Sequence, residues 1–377
     1  MLDCKRFYEA LTSRGVTFFA GVPDSLLKDL CAYITDQSRP GQHVITANEG
    51  GAVALATGHY LATGELSVVY MQNSGLGNTV NPVTSLTDPA VYGIPMVMLV
   101  GWRGEPGAKA DEPQHVKMGQ VTLAMLDAMD VPHAVLPDEP VAAEAALELA
   151  IAEANRRSAP YALVVRTGTF GTYKLPKAAP KYSMSREAAI GRFLEIVPKG
   201  ALIVATTGKP SRELYEQREQ RGEGHDTDFL TVGCMGHASQ IALGVALRKP
   251  ERAVYCLDGD GAVLMHMGGL ASIGTLAPKN YRHVVVNNGA HESVGAQPTV
   301  AFDADLCAVA RACGYRTVLR ADDEAALSVA LAELANAECP AFLEVRVKVG
   351  SRDDLGRPKM SPRELRDAFM RVAEGKI

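Results

Sequence analysis

Asp258-Gly259-Asp260-Gly261, followed after 25 residues by Asn287-Asn288-Gly289, is the stretch on which the reading of this chain turns. It follows Ala253-Val254-Tyr255-Cys256-Leu257, an apolar run that predicts a short buried strand. Gly259 and Gly261 let the backbone turn sharply and let anionic oxygens approach its amides. Asp260 adds a carboxylate. A second apolar run, His283-Val284-Val285-Val286, ends at the paired asparagines and brings an amide oxygen to the end of a second strand. Such oxygen donors, together with phosphates, suit Mg2+. Either half alone reads as an ordinary turn or strand exit. Together, each after a strand, they predict a site that holds a diphosphate through a divalent metal.

Outward from that stretch, apolar runs alternate with Ala/Leu-rich helical stretches. Strands are predicted at Val16–Ala20, Val44–Ala47, Ser67–Met71, Met96–Gly101, Ala162–Arg166 and Ala341–Val349, and helices at Ala52–Thr63, Ala142–Arg156 and Glu324–Ala335. The alternation predicts α/β domains with parallel sheets. Residues 171–184 carry prolines and lysines and read as a linker, so the expected domains are 1–170 and 185–377. No internal repeat is evident. The 377 residues are 47% hydrophobic, enough for two full cores. A net charge of -5 argues against a nucleic-acid partner, and no apolar run reaches the roughly 18 residues of a membrane span. The N-terminus lacks the apolar core of a signal peptide. Seven scattered cysteines, with no Cys-x-x-Cys, read as reduced, buried thiols of a cytoplasmic protein.

Gly259-Asp260-Gly261 through Asn287-Asn288 resembles the motif of the thiamine-diphosphate enzymes. The resemblance implies thiamine diphosphate and Mg2+ as cofactors. It also implies two parallel-sheet α/β domains of the thiamine-diphosphate-binding fold, pyrimidine-binding and diphosphate-binding, with no middle domain. Asp260 and Asn288 would ligate Mg2+ with the Ala290 carbonyl as a third ligand, and Gly259 and Gly261 would line the cofactor. Asn287 is the alternative to Asn288 if the register slips by one. Such a cofactor needs a carboxyl group beside its aminopyrimidine in a dry site. Thr46-Ala47-Asn48-Glu49-Gly50-Gly51-Ala52 offers Glu49, at a strand end before small residues that open a helix. The alternative is a plain helix cap at Ala52, an effect under about 1 kcal/mol. Gly233-Cys234-Met235-Gly236 resembles the segment whose carbonyl, at Gly233, accepts from the cofactor's amino group while Met235 wedges the cofactor into a bent shape. Met235 as ordinary core filler is the alternative. The family usually builds its site between subunits, with Glu49 from one chain and Asp260 from another, which implies a homo-oligomer of at least two chains.

Further polar clusters lean basic. Asp24 and Ser25 lie in Gly-Val-Pro-Asp-Ser, where a helix cap is the competing reading. Arg103 and Lys109 lie in Gly101–Lys109, and His115 follows in Glu-Pro-Gln-His. His291 follows the metal motif, and Arg352 and Arg357 lie in Gly-Ser-Arg-Asp-Asp-Leu-Gly-Arg-Pro. Such donors suit a small acid with more than one negative charge, a 2-keto acid with a second anionic group. His115 and His291 are candidates for proton transfer. These runs resemble the phosphonopyruvate decarboxylases, from residue 4 to about 365. The resemblance implies decarboxylation of 3-phosphonopyruvate to phosphonoacetaldehyde and CO2. Sulfopyruvate decarboxylation, carboligation, and a non-catalytic subunit are the alternatives. The single fused chain favours the phosphonate reading, because sulfopyruvate enzymes are often split in two.

Overall fold

Short apolar runs become two six-stranded parallel sheets in the computed structural model, which describes residues 1–176 and 179–375. The strands are β1 (Phe18–Gly21), β2 (His43–Ile45), β3 (Ser67–Gln72), β4 (Met96–Gly101), β5 (His133–Val135) and β6 (Pro160–Val165) in the first sheet. The second sheet uses β7 (Leu202–Ala205), β8 (Asp228–Leu230), β9 (Val254–Gly259) and β10 (Tyr281–Asn287). After two-residue strands β11 (Ala290–His291) and β12 (Gln297–Pro298), it is completed by β13 (Thr317–Ala321) and β14 (Ala341–Arg346). Every residue of β4 and β6 is buried, the pattern of strands covered by helices on both faces. The expected strands and helices are all present, with ends shifted by up to three residues.

The helix starts obey local capping chemistry. The helix Glu49–Thr63 begins three residues before the expected Ala52, because the Asn48 side chain accepts from the Gly51 amide at 2.9 Å. Asn48 is therefore the cap, and Glu49 is released from the capping role weighed for it. Ser185 caps the helix Arg186–Ile196 and Asp323 caps Glu324–Ala335 in the same way.

Strand order shows a repeat that the sequence hides. The first sheet runs β2-β1-β3-β4-β6-β5, and the second, read from its other edge, runs β8-β7-β9-β10-β14-β13. Both have the rank order 2-1-3-4-6-5 within their own six strands. In each, the chain reverses its direction of travel across the sheet beside the first strand. Open α/β sheets bind ligands outside the carboxyl ends of strands at such a switch point.

The chain divides into two compact units, Met1–Lys177 with Val294–Gln297, and Ala178–Ser293 with Pro298–Ile377. The expected linker 171–184 straddles the division, and Lys177 and Ala178 within it lie outside the described residues. No helix among the described residues is long and apolar enough to cross a membrane. The seven cysteines are free; Cys234 is exposed and Cys313 half-exposed, against the expectation that all are buried.

In the second unit, the helices Gly269–Leu276 and Leu306–Cys313 pack so closely that a Cβ on Gly274 would overlap the Cys313 carbonyl oxygen. Gly274→Ala is expected to destabilise this unit by about 1–3 kcal/mol. Gly244→Ala, in the open on helix Ala238–Arg248 with nothing within 4 Å of its Cβ, should be neutral or stabilising by up to about 1 kcal/mol. Thermal unfolding of the two variants checks the contrast.

Candidate active site

In the second unit, Asp260 leaves the end of β9 and opens a short helix, Asp260–Met265. Its carboxylate is 3% exposed. Burial pushes its pKa up to about 6, opposed by the Thr299 hydroxyl, which donates to Oδ2 at 2.6 Å, and by backbone amides including that of Asn288. A buried carboxylate answered only by hydrogen bonds is short of positive charge.

The neighbouring strand separates the two asparagines. Asn287, fully buried, donates from Nδ2 to the Ala301 carbonyl at 3.1 Å and to Glu344 Oε1 at 2.7 Å, and its Oδ1 accepts from the Gly289 amide at 3.0 Å. Its amide is occupied in holding the strand end. Asn288 donates to Glu292 Oε2 at 2.7 Å, and its Oδ1 accepts one bond, from the Ala290 amide at 3.1 Å. Gly289 makes the turn with φ 66, where a Cβ would strike the Phe302 ring. Asp258, two residues before Asp260, pairs with buried His283 at 3.2 Å, and His283 in turn meets the Tyr315 hydroxyl at 3.2 Å. Asp258 is thus held inside the sheet.

Met235 and His291 converge on Gly261. A Cβ added there would lie 3.1 Å from the His291 ring and 3.2 Å from Met235 Cε. Met235 sits between Cys234 (φ 56) and Gly236 (φ 87), so two left-handed residues bracket it. Gly233 is half-buried. Burial lowers the His291 pKa to about 4, which keeps the ring neutral.

In the first unit, Glu49 is 5% exposed at the start of its helix. Asn78 donates to Glu49 Oε2 at 2.7 Å, and a Cβ on Gly75 would collide with the carboxylate. Burial raises the Glu49 pKa, and the Asn78 bond only partly offsets it.

A second polar group gathers after β1 and β4. Arg103 grips Asp111 with two arms, Nε to Oδ2 at 2.7 Å and Nη2 to Oδ1 at 2.5 Å, and donates from Nη1 to Ser25 Oγ at 2.8 Å. Arg103 thereby holds Asp111 far below the usual carboxylate range. His115 lies beside them, its pKa lowered by burial and then by Arg103. Asp24 is fully buried; Oδ2 accepts from the Leu26 amide at 2.9 Å, and Oδ1 has no partner. It shapes a turn ahead of helix Lys28–Gln37, whose cap is Leu27, so the helix-cap reading of Asp24 and Ser25 does not hold.

The basic residues fare unevenly. Arg352 is bound by three carboxylates, Glu187, Glu216 and Asp354, so its charge is already answered. Arg357 and Lys109 are exposed. The sequence reading missed Asn78, Thr299 and the pairing of Glu292 with Asn288. Glu292 directly follows His291, but nothing in one dimension marked its partner.

Residues 207–345 match the sequence profile of the thiamine pyrophosphate enzyme C-terminal TPP binding domain, and residues 5–131 that of the N-terminal TPP binding domain. A phosphonopyruvate decarboxylase from Streptomyces viridochromogenes is 40% identical over 386 residues, covering 98% of this chain and 94% of that one. The chain belongs to the phosphonopyruvate decarboxylase family of thiamine pyrophosphate enzymes. A second member of this family, from Streptomyces hygroscopicus, is 38% identical over 99% of this chain and 94% of its own. A sulfopyruvate decarboxylase from Methanosarcina acetivorans is 26% identical over 99% of this chain and 98% of its own. That relative is itself one continuous chain, so a fused chain does not by itself separate phosphonate from sulfonate enzymes. The family's cofactors are thiamine diphosphate and Mg2+. The hard oxygen donors at Asp260 and Asn288 fit them.

Asp24 offers a test of its environment. Its pKa is raised to about 6, chiefly by burial, so ionisation is disfavoured in the folded state. Stability from this group is then full below the unfolded pKa near 4, falls as pH rises through about 6, and is level above. Asp24→Asn cannot ionise. It should raise the unfolding midpoint of the first unit by about 2–6 °C at pH 8, with a smaller gain at pH 4. Melting curves at the two pH values decide; an equal effect at both would contradict the assignment.

Proposed function

We propose that this protein decarboxylates 3-phosphonopyruvate to phosphonoacetaldehyde and CO2. The observation that carries the reading is near-full-length identity of 40% to a phosphonopyruvate decarboxylase. The buried oxygen donors of Asp260 and Asn288 support it. In this reading residues 1–170 are the pyrimidine-binding domain, 171–184 the linker and 185–377 the diphosphate-binding domain. Asp260, Asn288 and the Ala290 carbonyl hold Mg2+, and Gly259 and Gly261 admit the diphosphate. The occupied amide of Asn287 favours Asn288 as the ligand. The Gly233 carbonyl and Met235 orient the aminopyrimidine. When bound, thiamine diphosphate supplies the electron sink that takes up the pair left behind by CO2.

The chain's own residues handle protons and anions. Glu49, with its raised pKa and its side-chain donor Asn78, is suited to share a proton with a ring nitrogen. His291, neutral, and His115 are the proton-transfer candidates. Asp24 and Ser25 border the substrate. Arg103, oriented by Ser25 and Asp111, and Lys109 take the second anionic group. The three carboxylates around Arg352 speak against it as a headgroup ligand, and Arg357, exposed like Lys109, stays beside it as a candidate.

A homo-oligomer completes this reading, with Glu49 of one chain serving the cofactor held by Asp260 of another. Its support is the helix Glu49–Thr63, which after Glu49 has no charged residue and exposes the stripe Ala54, Leu55, Gly58, Leu61 and Ala62. A helix that is apolar on its outer side too is one that another surface covers. A cytoplasmic location is proposed with it, from the seven free thiols. Sulfopyruvate decarboxylation is the second reading, favoured by the full-length match to the M. acetivorans enzyme.

CO2 and aldehyde release with thiamine diphosphate and Mg2+ should favour 3-phosphonopyruvate over sulfopyruvate and pyruvate; preference for sulfopyruvate would overturn the substrate assignment and leave the cofactor roles standing. Glu49→Gln should lower kcat by about 10²–10⁴-fold, and full turnover would remove Glu49 from the mechanism. Leu61→Glu, placing a charge on a residue 72% exposed in the single chain, should shift the sedimentation profile toward monomer with loss of activity.

A further inference from the structure

We infer that Glu292 is a positioning residue that fixes which end of the Asn288 amide meets the metal. The inference rests on the reading of Asn288 as a Mg2+ ligand. An asparagine amide has two nearly isosteric ends, and only its oxygen binds a hard cation. Here both ends are committed in one sense. Nδ2 donates to Glu292 Oε2 at 2.7 Å, while Oδ1 accepts from the Ala290 amide at 3.1 Å. A carboxylate only accepts. Turning the amide over would set its oxygen against the carboxylate and its N–H groups against the Ala290 N–H. In the observed sense Oδ1 keeps a second lone pair for a metal.

Glu292 is itself held by cations. Arg186 Nη1 donates to Oε2 and Lys209 Nζ to Oε1, each at 2.7 Å. Arg186, 3% exposed, is also gripped by Glu213, 1% exposed, through two bonds of 2.7 and 2.8 Å. Two cations and two anions thus balance in a buried cluster. Gly208, with φ 94, precedes Lys209 and lets the chain at Ser293 come close: a Cβ there would lie 3.0 Å from Ser293 Oγ. The cluster reaches from two helix starts, Arg186 and Lys209, to the loop after β10, so the orientation of one amide is set by residues far away in sequence. Outer partners of metal ligands commonly act in this way.

Glu292→Gln tests the inference, because Gln keeps shape but loses the acceptor-only character. Lys209 approaches Oε1, while Arg186 and Asn288 share Oε2; with the Gln oxygen kept on Lys209, its NH2 takes the shared place, opposes the Asn288 NH2 and draws the Asn288 oxygen away from the metal. Calorimetric titration of Mg2+ into the EDTA-stripped protein, with saturating thiamine diphosphate, reads the effect. Affinity should fall about 10–100-fold in Glu292→Gln. The double variant Asn288→Asp/Glu292→Gln has the parent's charge and a Gln NH2 that donates to one Asp oxygen, leaving the other for Mg2+. It should bind within about threefold of the parent and at least tenfold more tightly than Asn288→Asp alone, a rescue that a purely structural role for Glu292 does not predict. Asn288→Ala separates the two layers. If it binds Mg2+ like the parent, the ligand reading fails and the inference with it. If it loses Mg2+ while Glu292→Gln binds within twofold of the parent, the inference alone is overturned. Circular dichroism establishes that each variant is folded; should Glu292→Gln not fold, the comparison of the double variant with Asn288→Asp decides, and equal affinity there overturns the inference.

Discussion

A carboxylate kept away from water at the end of a parallel strand is the constraint around which the second unit is arranged. Taking a charge out of water is expensive unless opposite charge or hydrogen bonds replace the solvent. Asp260 has the hydrogen bonds, from Thr299 and from backbone amides, and has no cation among those influences. In the proposed reading a divalent ion supplies that charge. Glu49 in the first unit presents a milder form of the same situation: a buried acid with a single side-chain donor, Asn78. Elsewhere the protein treats buried charge in the usual way. Arg218 with Asp228, and Arg186 with Glu213, are paired through two arms each, and each arginine turns a third arm to another carboxylate, Glu223 or Glu292.

The frame itself is one solution used twice. Both sheets are parallel, both have the same strand order, and in both the candidate side chains follow the carboxyl ends of strands. The loops differ entirely. Beyond β9 and β10 come the acid Asp260 and the amide Asn288; beyond β1 and β4 come Asp24, Ser25 and the Arg103–Asp111 pair. The rigid part of each unit is apolar and general, and the specific part is a handful of residues in turns.

That division explains what could be read from the chain. The Gly-rich loop after β9 was legible as a turn between apolar strands because glycines and acids there have few other uses. The strands were legible because a strand buried on both faces is nearly continuous in apolar residues. The repeat was not, since apolar residues exchange freely while strand order persists. The Asn288–Glu292 contact spans four residues, but the cations that hold Glu292 lie 83 and 106 residues away. Glu49 meets its donor 29 residues on. The surface arginines misled for a related reason: a basic residue shows its charge in sequence and hides its counter-charge. Arg352 looked available until Glu187 and Glu216 were seen to close on it.

The short segment Val294–Gln297 belongs with the first unit although it follows almost all of the metal loop in sequence. On the ribosome, residues 1–177 emerge and can collapse around their sheet long before that segment exists. The stretch from residue 178 to residue 293 must be made first, and at about 5–20 residues per second this takes on the order of ten seconds. During that interval the nascent first unit waits with one piece of its packing absent, so its last step of maturation is tied to synthesis of the second.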